Sequence, residues 1–379
     1  MANIGRLTTE LIAKDRIVNI SASNVLMNQS ALSFDDFIVT KNFATVTYTG
    51  NGDTQDITTG ISSVDFTQPN NGSGYYNKRV GSGFAVIADN TVDLITSSND
   101  TSSVDNWTAG NDANISSDGT TLSVNADTTD YPKATEIISL DAGTYALSCN
   151  LGGTTPLFNI SNDNGLDISI STSKLITFTI DDTVDCTISC TMNGTEDDDT
   201  ATFSNLSILP LADNGDGSCV CNVSKVHIKG RSEATHNEVF DGLRGKGVCI
   251  TTNDTRKEDA YDVLTAFNVN GISLSSTGGI NADTETYIAY QTLYTHIKWG
   301  KTNQDKRYIE AYNPVTRETM IMYEMSSSAG NKLPTSIGVK SELVEIKNLA
   351  TAEDWLVQTE GLADTEKLVL NTDAAKGAI

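Results

Sequence analysis

The sequence predicts an all-β protein of tandem β-sandwich domains, with a smaller jelly roll inserted into the first domain and a short attachment segment at the N-terminus. Of the 379 residues, 38% are hydrophobic and 7% aromatic. Ser, Thr, Asn, Asp and Gly fill much of the rest, which is typical of short strands and polar turns. Runs of alternating apolar and polar residues recur along the chain, and a stretch near residue 226 resembles one near residue 344.

The net charge limits the classes of partner. The chain has 25 Lys and Arg residues against 49 Asp and Glu residues, a formal charge of −24. A field of this sign repels phosphate backbones and anionic membranes, so we expect neither nucleic-acid binding nor membrane insertion. No apolar run approaches the roughly 18 residues of a transmembrane helix. The N-terminus also lacks the basic flank, apolar stretch and cleavage site of a signal peptide.

Residues 1–41 are predicted to form the attachment segment. A short amphipathic helix is expected here, because apolar residues recur at roughly helical spacing. Such a helix is too short to bury its apolar stripe alone and needs a partner surface, either the rest of the chain or another protein. The residues expected to make this contact are Leu7, Leu11, Ile12, Ile17 and Val18.

Residues 42–97 and 213–300 are predicted to form one discontinuous sandwich. Ala44–Thr49 alternates like a strand, a Gly/Asn turn follows, and Gln55–Ile61 is the return strand. The run Phe84–Ala88 is continuously apolar. After the interruption, strand patterns resume at Val223–Lys229 and continue to about residue 300.

Residues 98–212 are predicted to form the inserted acidic jelly roll. Between residues 90 and 220 there are two basic residues and twenty acidic ones. Eight short strands with polar turns favour a two-sheet sandwich. These strands are Thr121–Val124, Ala134–Leu140, Thr144–Asn150, Leu157–Ile160, Leu166–Ile170, Leu175–Ile180, Val184–Met192 and Ala201–Ile208.

The six cysteines do not indicate a metal site. None forms a CxxC pair and the three histidines lie far from any cysteine cluster, so a zinc site is not expected. Strand period places Cys186 and Cys190 on one face, where cysteine behaves as a small buried hydrophobe. Cys149 is assigned to the core in the same way. Cys219 and Cys221 are open to a redox or bridging role, although the simpler core role is favoured.

An internal repeat relates two segments in the second half of the chain. Val226–Lys229 aligns with Val344–Lys347, and Glu238–Asp241 aligns with Trp355–Gln358. The second unit, residues 301–379, is therefore expected to be incomplete, because nothing follows that corresponds to residues 260–290. A half sandwich leaves an unpaired edge and an exposed core face. We expect either a longer polypeptide or a partner to complete it.

Four segments carry a family resemblance: VTYTGNGDTQDITTGI, VHIKGRSEATHNEVFDGLRGKGVCITTNDT, GGINADTETYIAYQ and AYNPVTRETMIMYE. They resemble concanavalin-like lectin and glucanase modules of tailed-bacteriophage tail fibres and related virion proteins. Residues 105–208 look like a jelly roll of the carbohydrate-binding-module type. The inserted jelly roll and the altered second repeat depart from the usual pattern of such modules.

The resemblance implies a non-enzymatic structural component of a phage virion, the virion-proximal part of a tail fibre. It implies assembly in the bacterial cytoplasm, contact with other virion proteins through residues 1–41, self-association as a homotrimer and contact with a host surface glycan. The alternatives are a head or collar fibre, or a glycan-binding or glycan-degrading protein on the same fold. No Walker loop, dinucleotide-binding fingerprint or GxSxG elbow occurs in the sequence, and no cofactor is expected.

Candidate ligand-binding residues are aromatic, because sugars stack on aromatic faces. They are Trp107, Tyr131, Tyr75 and Tyr76. The competing interpretation is that Trp107 fills the core of the inserted domain and that the loop tyrosines anchor their loops. No catalytic carboxylate pair and no metal ligands are nominated, since the acidic clusters at residues 196–199 and 213–216 lack the spacing of a calcium loop.

Overall fold

The computed structural model describes residues 42–95, 101–125, 131–193, 199–276, 278–363, 365–372 and 377–378, and the structural statements below concern those residues. Across them the protein is all-β, with a short 3-10 turn at Ala212–Gly215. This confirms the predicted fold class. In this part of the chain no helix is long and apolar enough to cross a membrane. The predicted attachment segment, with its candidate helix, lies outside the described residues.

The described strands number 27 and fall into four groups along the chain. The first group is β1 (Phe43–Thr49), β2 (Gln55–Thr58), β3 (Tyr75–Val80) and β4 (Gly83–Ala88). The second is β5 (Thr108–Gly110), β6 (Asn114–Ser117), β7 (Thr121–Asn125), β8 (Lys133–Leu140), β9 (Gly143–Gly153), β10 (Pro156–Ser161), β11 (Asp167–Ile170), β12 (Lys174–Ile180), β13 (Val184–Met192) and β14 (Thr200–Pro210). The third is β15 (Gly217–Gly230), β16 (Glu238–Asp241), β17 (Gly245–Thr251), β18 (Asp259–Ala260), β19 (Leu264–Asn268), β20 (Gly271–Leu274), β21 (Thr286–Lys301), β22 (Arg307–Asn313) and β23 (Glu318–Tyr323). The last is β24 (Leu343–Ile346), β25 (Leu356–Thr359), β26 (Glu366–Val369) and β27 (Gly377–Ala378).

Strands from both sides of the second group share one body, which we call the parent sandwich. Its larger sheet has eight strands in the order β18-β17-β16-β15-β21-β22-β23, with β1 also pairing with β21. Its smaller sheet has the order β19-β20-β2, in which Ile57 lies opposite Ile272. Apolar residues of the two sheets meet in one core, where Val226, Ile228 and Ile272 are completely buried. The strands of this sandwich therefore come from both sides of the second group, β1 and β2 before it and β15–β23 after it.

The described residues between 101 and 210 form a second body, the inserted sandwich. Its two five-stranded sheets have the orders β11-β10-β13-β8-β5 and β12-β9-β14-β7-β6. All eight strands predicted in this region are present, with β5 and β6 in addition. The predicted face of β13 is also confirmed, since Cys186, Ile188 and Cys190 are all 0% exposed. Free thiols serve here as small core hydrophobes.

The hairpin β3–β4 lies between the two sandwiches and explains the continuous apolar run of β4. Phe84 and Val86 pack against the larger sheet of the parent sandwich, in a cluster separate from the core beneath β19-β20-β2, whereas Ala85 and Ile87 pack against the inserted sandwich. Successive side chains of a strand point to opposite faces, so a strand that is buried on both sides is apolar at every position. Gly83 permits the close approach, because a Cβ at this position would lie 1.9 Å from the Leu175 carbonyl oxygen.

The internal repeat has a matching strand register. Val226 lies opposite Phe240 in the first copy, and Val344 lies opposite Gln358 in the second. Each residue of the second pair follows its counterpart in the first pair by 118 residues (344 − 226 and 358 − 240). The next ladder agrees, because the pairs Val239–Ile250 and Val357–Leu368 have this offset too. The register equates Glu238–Asp241 with Leu356–Thr359, one residue later than the sequence alignment. The strand β25 begins after Trp355, which packs on Val239 and Ile250 of the first copy.

The parent sheet continues across the boundary expected near residue 301. The strand β21 reaches Lys301, and β22 and β23 extend the same sheet to Tyr323. Of the described strands after Lys301, those of the sheet β24-β25-β26-β27 are separate from the parent sheet, and we call this the C-terminal sheet. The physical reason for the difference is that β21 is sixteen residues long. It pairs with β1 along its first half and with β22 along its second half, so one strand serves both segments.

Candidate functional site

A cavity lies beside the hairpin. We call it the junction cleft and define it by Tyr76–Arg79 of β3, by Arg244 and Val248 around β17, and by Glu258–Ala260 at β18, with Thr67 and Gly81 at its margin. Its volume is about 600 Å³. This is within the range of small-molecule sites in proteins, roughly 300–1,000 Å³.

The alternation of β3 sends neighbouring side chains to different bodies. Asn77 and Arg79 reach the parent sandwich, where Asn77 Nδ2 donates to the Leu243 carbonyl oxygen at 2.7 Å. Between them, Lys78 reaches the inserted sandwich, where its Nζ donates to Ser207 Oγ at 2.6 Å. Burial lowers the pKa of Lys78, against an opposing effect from Asp93. The cleft therefore has polar walls from a strand that contacts both sandwiches.

A bidentate ion pair forms one wall of the cleft. Arg79 donates from Nη1 to Glu258 Oε1 at 2.9 Å and from Nη2 to Glu258 Oε2 at 2.5 Å. Its Nη1 also donates to the Arg244 carbonyl oxygen at 2.9 Å. Both side chains of the pair are mostly buried, at 14% and 13% exposure. Planar pairing of this kind fixes both groups in position.

A second arginine lies deeper in the cleft. Arg244 Nε donates to Asp241 Oδ2 at 2.5 Å, and Nη2 donates to the Val239 carbonyl oxygen at 3.0 Å. The Asp241 carboxylate also accepts the backbone N–H groups of Leu243 and Arg244. The remaining nitrogen, Arg244 Nη1, has no hydrogen-bond partner, and the nearest carboxylate oxygen, Glu258 Oε1, is 3.8 Å away. Arg244 is only 6% exposed.

An unpaired acceptor is buried among the residues that line the same cleft. Asn77 is 0% exposed, and its Oδ1 has no hydrogen-bond partner although its Nδ2 is bonded. Buried polar atoms normally have partners, and leaving one unpaired costs about 1–3 kcal/mol. The cleft thus combines one unpaired donor with one unpaired acceptor.

The four aromatic candidates do not converge on one surface. Trp107 is 5% exposed within the core of the inserted sandwich, so its faces are covered, as the competing interpretation expected. Tyr75 packs in the parent core, with its ring centroid 5.0 Å from that of Trp299. Tyr131 is 52% exposed, but it lies on the inserted sandwich and does not line the junction cleft. Tyr76 alone of the four lines the cleft, and burial raises its pKa.

The remaining sequence expectations concern attachment and metals. Leu7, Leu11, Ile12, Ile17 and Val18 lie outside the described residues. Within the described ranges, no group of three or more His, Cys, Asp or Glu side chains is placed to hold a metal ion. Cys219 and Cys221 are free thiols and form no bridge.

Sequence reasoning missed Arg79, Arg244 and Glu258. A usable signal was present, because basic residues are scarce in this acidic chain and Lys78 and Arg79 are adjacent, shortly before the apolar run Phe84–Ala88. Their partner Glu258 is 179 residues away from Arg79. No local pattern identifies such a pair.

Comparison with known proteins gives limited information. A family model described as a domain of unknown function (DUF7483) matches residues 218–378, less than half of the chain and including both copies of the repeat. No curated protein matches the chain. Among solved structures, the chain is similar to the N-terminal CBM22-1–CBM22-2 tandem domain of Paenibacillus barcinonensis Xyn10C, with 9% identity and a TM-score of 0.24. That match covers 53% of this chain and 97% of the solved one, and at this score it carries no argument about function.

Proposed function

We propose that this protein is a non-enzymatic structural component of a tailed-bacteriophage virion, the virion-proximal part of a tail fibre. It attaches through residues 1–41 and self-associates as a homotrimer. The proposal is supported by the resemblance of four sequence segments to tail-fibre modules. It is also supported by the hairpin β3–β4, whose two buried faces make a rigid joint between sandwiches.

The observation that carries the proposal is the difference in burial between the two copies of the repeat. Val226 and Ile228 in the first copy are 0% exposed, under the cover of the sheet β19-β20-β2. Their counterparts Val344 and Ile346 in the C-terminal sheet are 38% and 41% exposed. A contiguous exposed apolar patch marks a protein–protein contact. The C-terminal sheet is therefore suited to be covered by another β-structure in an assembly.

The edge of the C-terminal sheet supports the same function. The strand β24 is the edge strand, and all four of its residues are exposed. An unprotected edge presents free N–H and C=O groups to a further strand. An assembling subunit uses such an edge, whereas a monomeric protein in solution normally protects it.

The test has two parts. Immunogold labelling of particles from cells that produce the chain should decorate a tail appendage, and deletion of residues 1–41 should abolish labelling while the purified variant stays folded. Absence of the chain from purified particles contradicts the proposal, and label on heads or collars favours the alternative positions. Reducing-end release from a polysaccharide by the purified protein would instead favour the enzyme alternative.

The second part measures self-association by light scattering. The double variant Val344→Asp/Ile346→Asp should weaken assembly because it places charges on the face to be covered. Val269→Asp is the matched control, since Val269 is 86% exposed on the parent sandwich. If both variants assemble equally well, the C-terminal sheet is not the surface through which the protein self-associates.

A further inference from the structure

We propose that, in the free protein, residues 1–18 cover the apolar face of the C-terminal sheet of their own chain. This contact keeps the face from self-association until residues 1–41 attach to the particle. The inference rests on the assembly face of the proposed function, and it adds the occupant of that face before assembly.

The face to be covered is on the side of the C-terminal sheet that points away from the parent sandwich. Trp355, which packs on the parent sandwich, and Val357 are both 7% exposed. Successive side chains of a strand point to opposite sides, so Leu356 points away from the parent sandwich. Leu356 is paired with Ile346 on one side and with Val369 on the other, so an apolar row crosses three strands of this face.

The N-terminal segment joins the parent sandwich at a defined place. Asn42 is 8% exposed, and its Oδ1 accepts a hydrogen bond from Asn313 Nδ2 at 2.9 Å. The next residue, Phe43, and Lys225 of β15 both lie opposite Thr292, on its two sides in the parent sheet. Neighbouring strands are about 4.8 Å apart, so the backbone at Phe43 lies about 10 Å from that at Lys225.

Lys225 in turn lies beside the C-terminal sheet. Its pKa is raised by Tyr294 and by carboxylates that include Glu345 of β24, against the lowering effect of burial. The chain between residues 18 and 42 spans up to about 80 Å when extended and about 27 Å as a flexible coil. Residues 1–18 can therefore reach the C-terminal sheet of the same chain.

The composition of residues 1–18 complements this sheet. The segment carries three basic and two acidic residues, whereas residues 343–378 carry three basic and seven acidic residues. Its apolar stripe is too short to be buried without a partner surface, and the exposed apolar face offers one. The stripe is formed by Leu7, Leu11, Ile12, Ile17 and Val18. Segment and sheet thus match in apolar character and have opposite net charges.

The covalent link favours this segment over a second copy of the chain. A segment on a short flexible linker has an effective concentration on the order of mM, about a thousandfold above that of a protein at μM concentration. The segment therefore occupies the face in dilute protein. On a particle, attachment of residues 1–41 removes the cover, and a neighbouring subunit takes its place.

The experiment is hydrogen exchange, followed by mass spectrometry, on the purified full-length protein. It is compared with a variant that lacks residues 1–41 and with Leu11→Asp/Ile12→Asp, which serves alone if the deletion unfolds the protein. Thr8→Asp/Thr9→Asp is the matched control, because it adds the same charges to the same segment outside the apolar stripe. Peptides from β24 and β25 report on the face, and peptides from β19 and β20 report on the fold of the parent sandwich.

We expect the deletion and Leu11→Asp/Ile12→Asp to speed exchange in β24 at least about tenfold, equivalent to about 1.4 kcal/mol. Exchange in β19 and β20, and in the control variant, should stay unchanged. Protection of β24 in the wild type should be constant over about a hundredfold range of protein concentration, because a contact within one chain does not follow mass action.

Two results overturn the inference. Equal exchange of β24 with and without residues 1–41 shows that the segment does not cover the sheet. Protection that grows with protein concentration assigns the face to a second copy instead. Both results come from purified protein without particles, whereas the proposed function fails if the chain is absent from particles, so the two failures are distinguishable.

Discussion

Replacement of Gly83 by alanine tests whether the hairpin joins the two sandwiches as tightly as its burial indicates. A Cβ at this position would lie 1.9 Å from Leu175 O and 2.7 Å from Leu175 C. Carbon contacts are most favourable near 3.5–4.0 Å, so the hairpin must move about 1.5 Å away from β12. That movement separates Ile87, which is 0% exposed, from the inserted sandwich. Overpacking of this kind costs about 1–3 kcal/mol.

The expected result is a loss of about 2 kcal/mol in the free energy of unfolding, which changes the ratio of folded to unfolded protein about thirtyfold. Urea titration followed by fluorescence measures it, and calorimetry should show the transitions of the two sandwiches moving apart. Gly361→Ala is the matched control, because the nearest atom to its new Cβ is 3.8 Å away. At a tolerant site, Gly→Ala stabilises by about 0.4–1 kcal/mol. If Gly83→Ala is as stable as the wild type, the hairpin does not form a close joint.

Three further predictions concern the ion pair, the buried tryptophan and the thiols. Glu258→Gln should lower the free energy of unfolding, measured by urea titration, by about 1.5–3 kcal/mol because it breaks a charged hydrogen-bonded pair. The control is Asp259→Asn at the exposed neighbouring residue, which should change the free energy of unfolding by no more than about 0.5 kcal/mol. Equal effects of the two variants would contradict a stabilising role for the Arg79–Glu258 pair. In urea titration, Trp107→Ala should cost about 3–5 kcal/mol as a core truncation, whereas Tyr131→Ala should change stability little because Tyr131 is 52% exposed; equal effects would contradict a core role for Trp107. Burial raises the pKa of Cys219 from 9.0 to about 11, so a thiol reagent at pH 8 should react slowly with the native protein and rapidly after denaturation. Since the folded pKa exceeds the unfolded value, this thiol's contribution to stability is full below pH 9 and falls as the pH rises towards 11. Rapid labelling of native protein at pH 8 would contradict this.

The strand patterns could be predicted because they depend on local alternation. The face of Cys186, Ile188 and Cys190 follows from period two alone, and the structure buries all three. The repeat was also detectable, since Val226–Lys229 and Val344–Lys347 have similar patterns in equivalent strands. Its alignment was wrong by one residue at Trp355, because an aromatic residue just before a strand looks like part of the strand.

The junction cleft could not be predicted, because it depends on contacts between distant segments. The apolar run Phe84–Ala88 indicates burial on two faces, but it does not say which bodies cover them. Tyr75 and Tyr76 are equivalent by composition, yet one packs in the parent core and the other lines the cleft. Their roles follow from the register of the hairpin and from its position between two sandwiches.

The same geometric fact connects the joint, the cleft and the insertion. A strand with both faces buried holds two bodies together, because its side chains point alternately towards one body and towards the other. Arg79 is held by Glu258 of the parent sandwich, while Lys78 is held by Ser207 of the inserted sandwich. A change in the angle between the sandwiches would therefore separate groups that together form the cleft wall. The packing of the hairpin on both bodies thus keeps the polar groups of the cleft in a fixed arrangement, although Gly83 itself does not line the cleft.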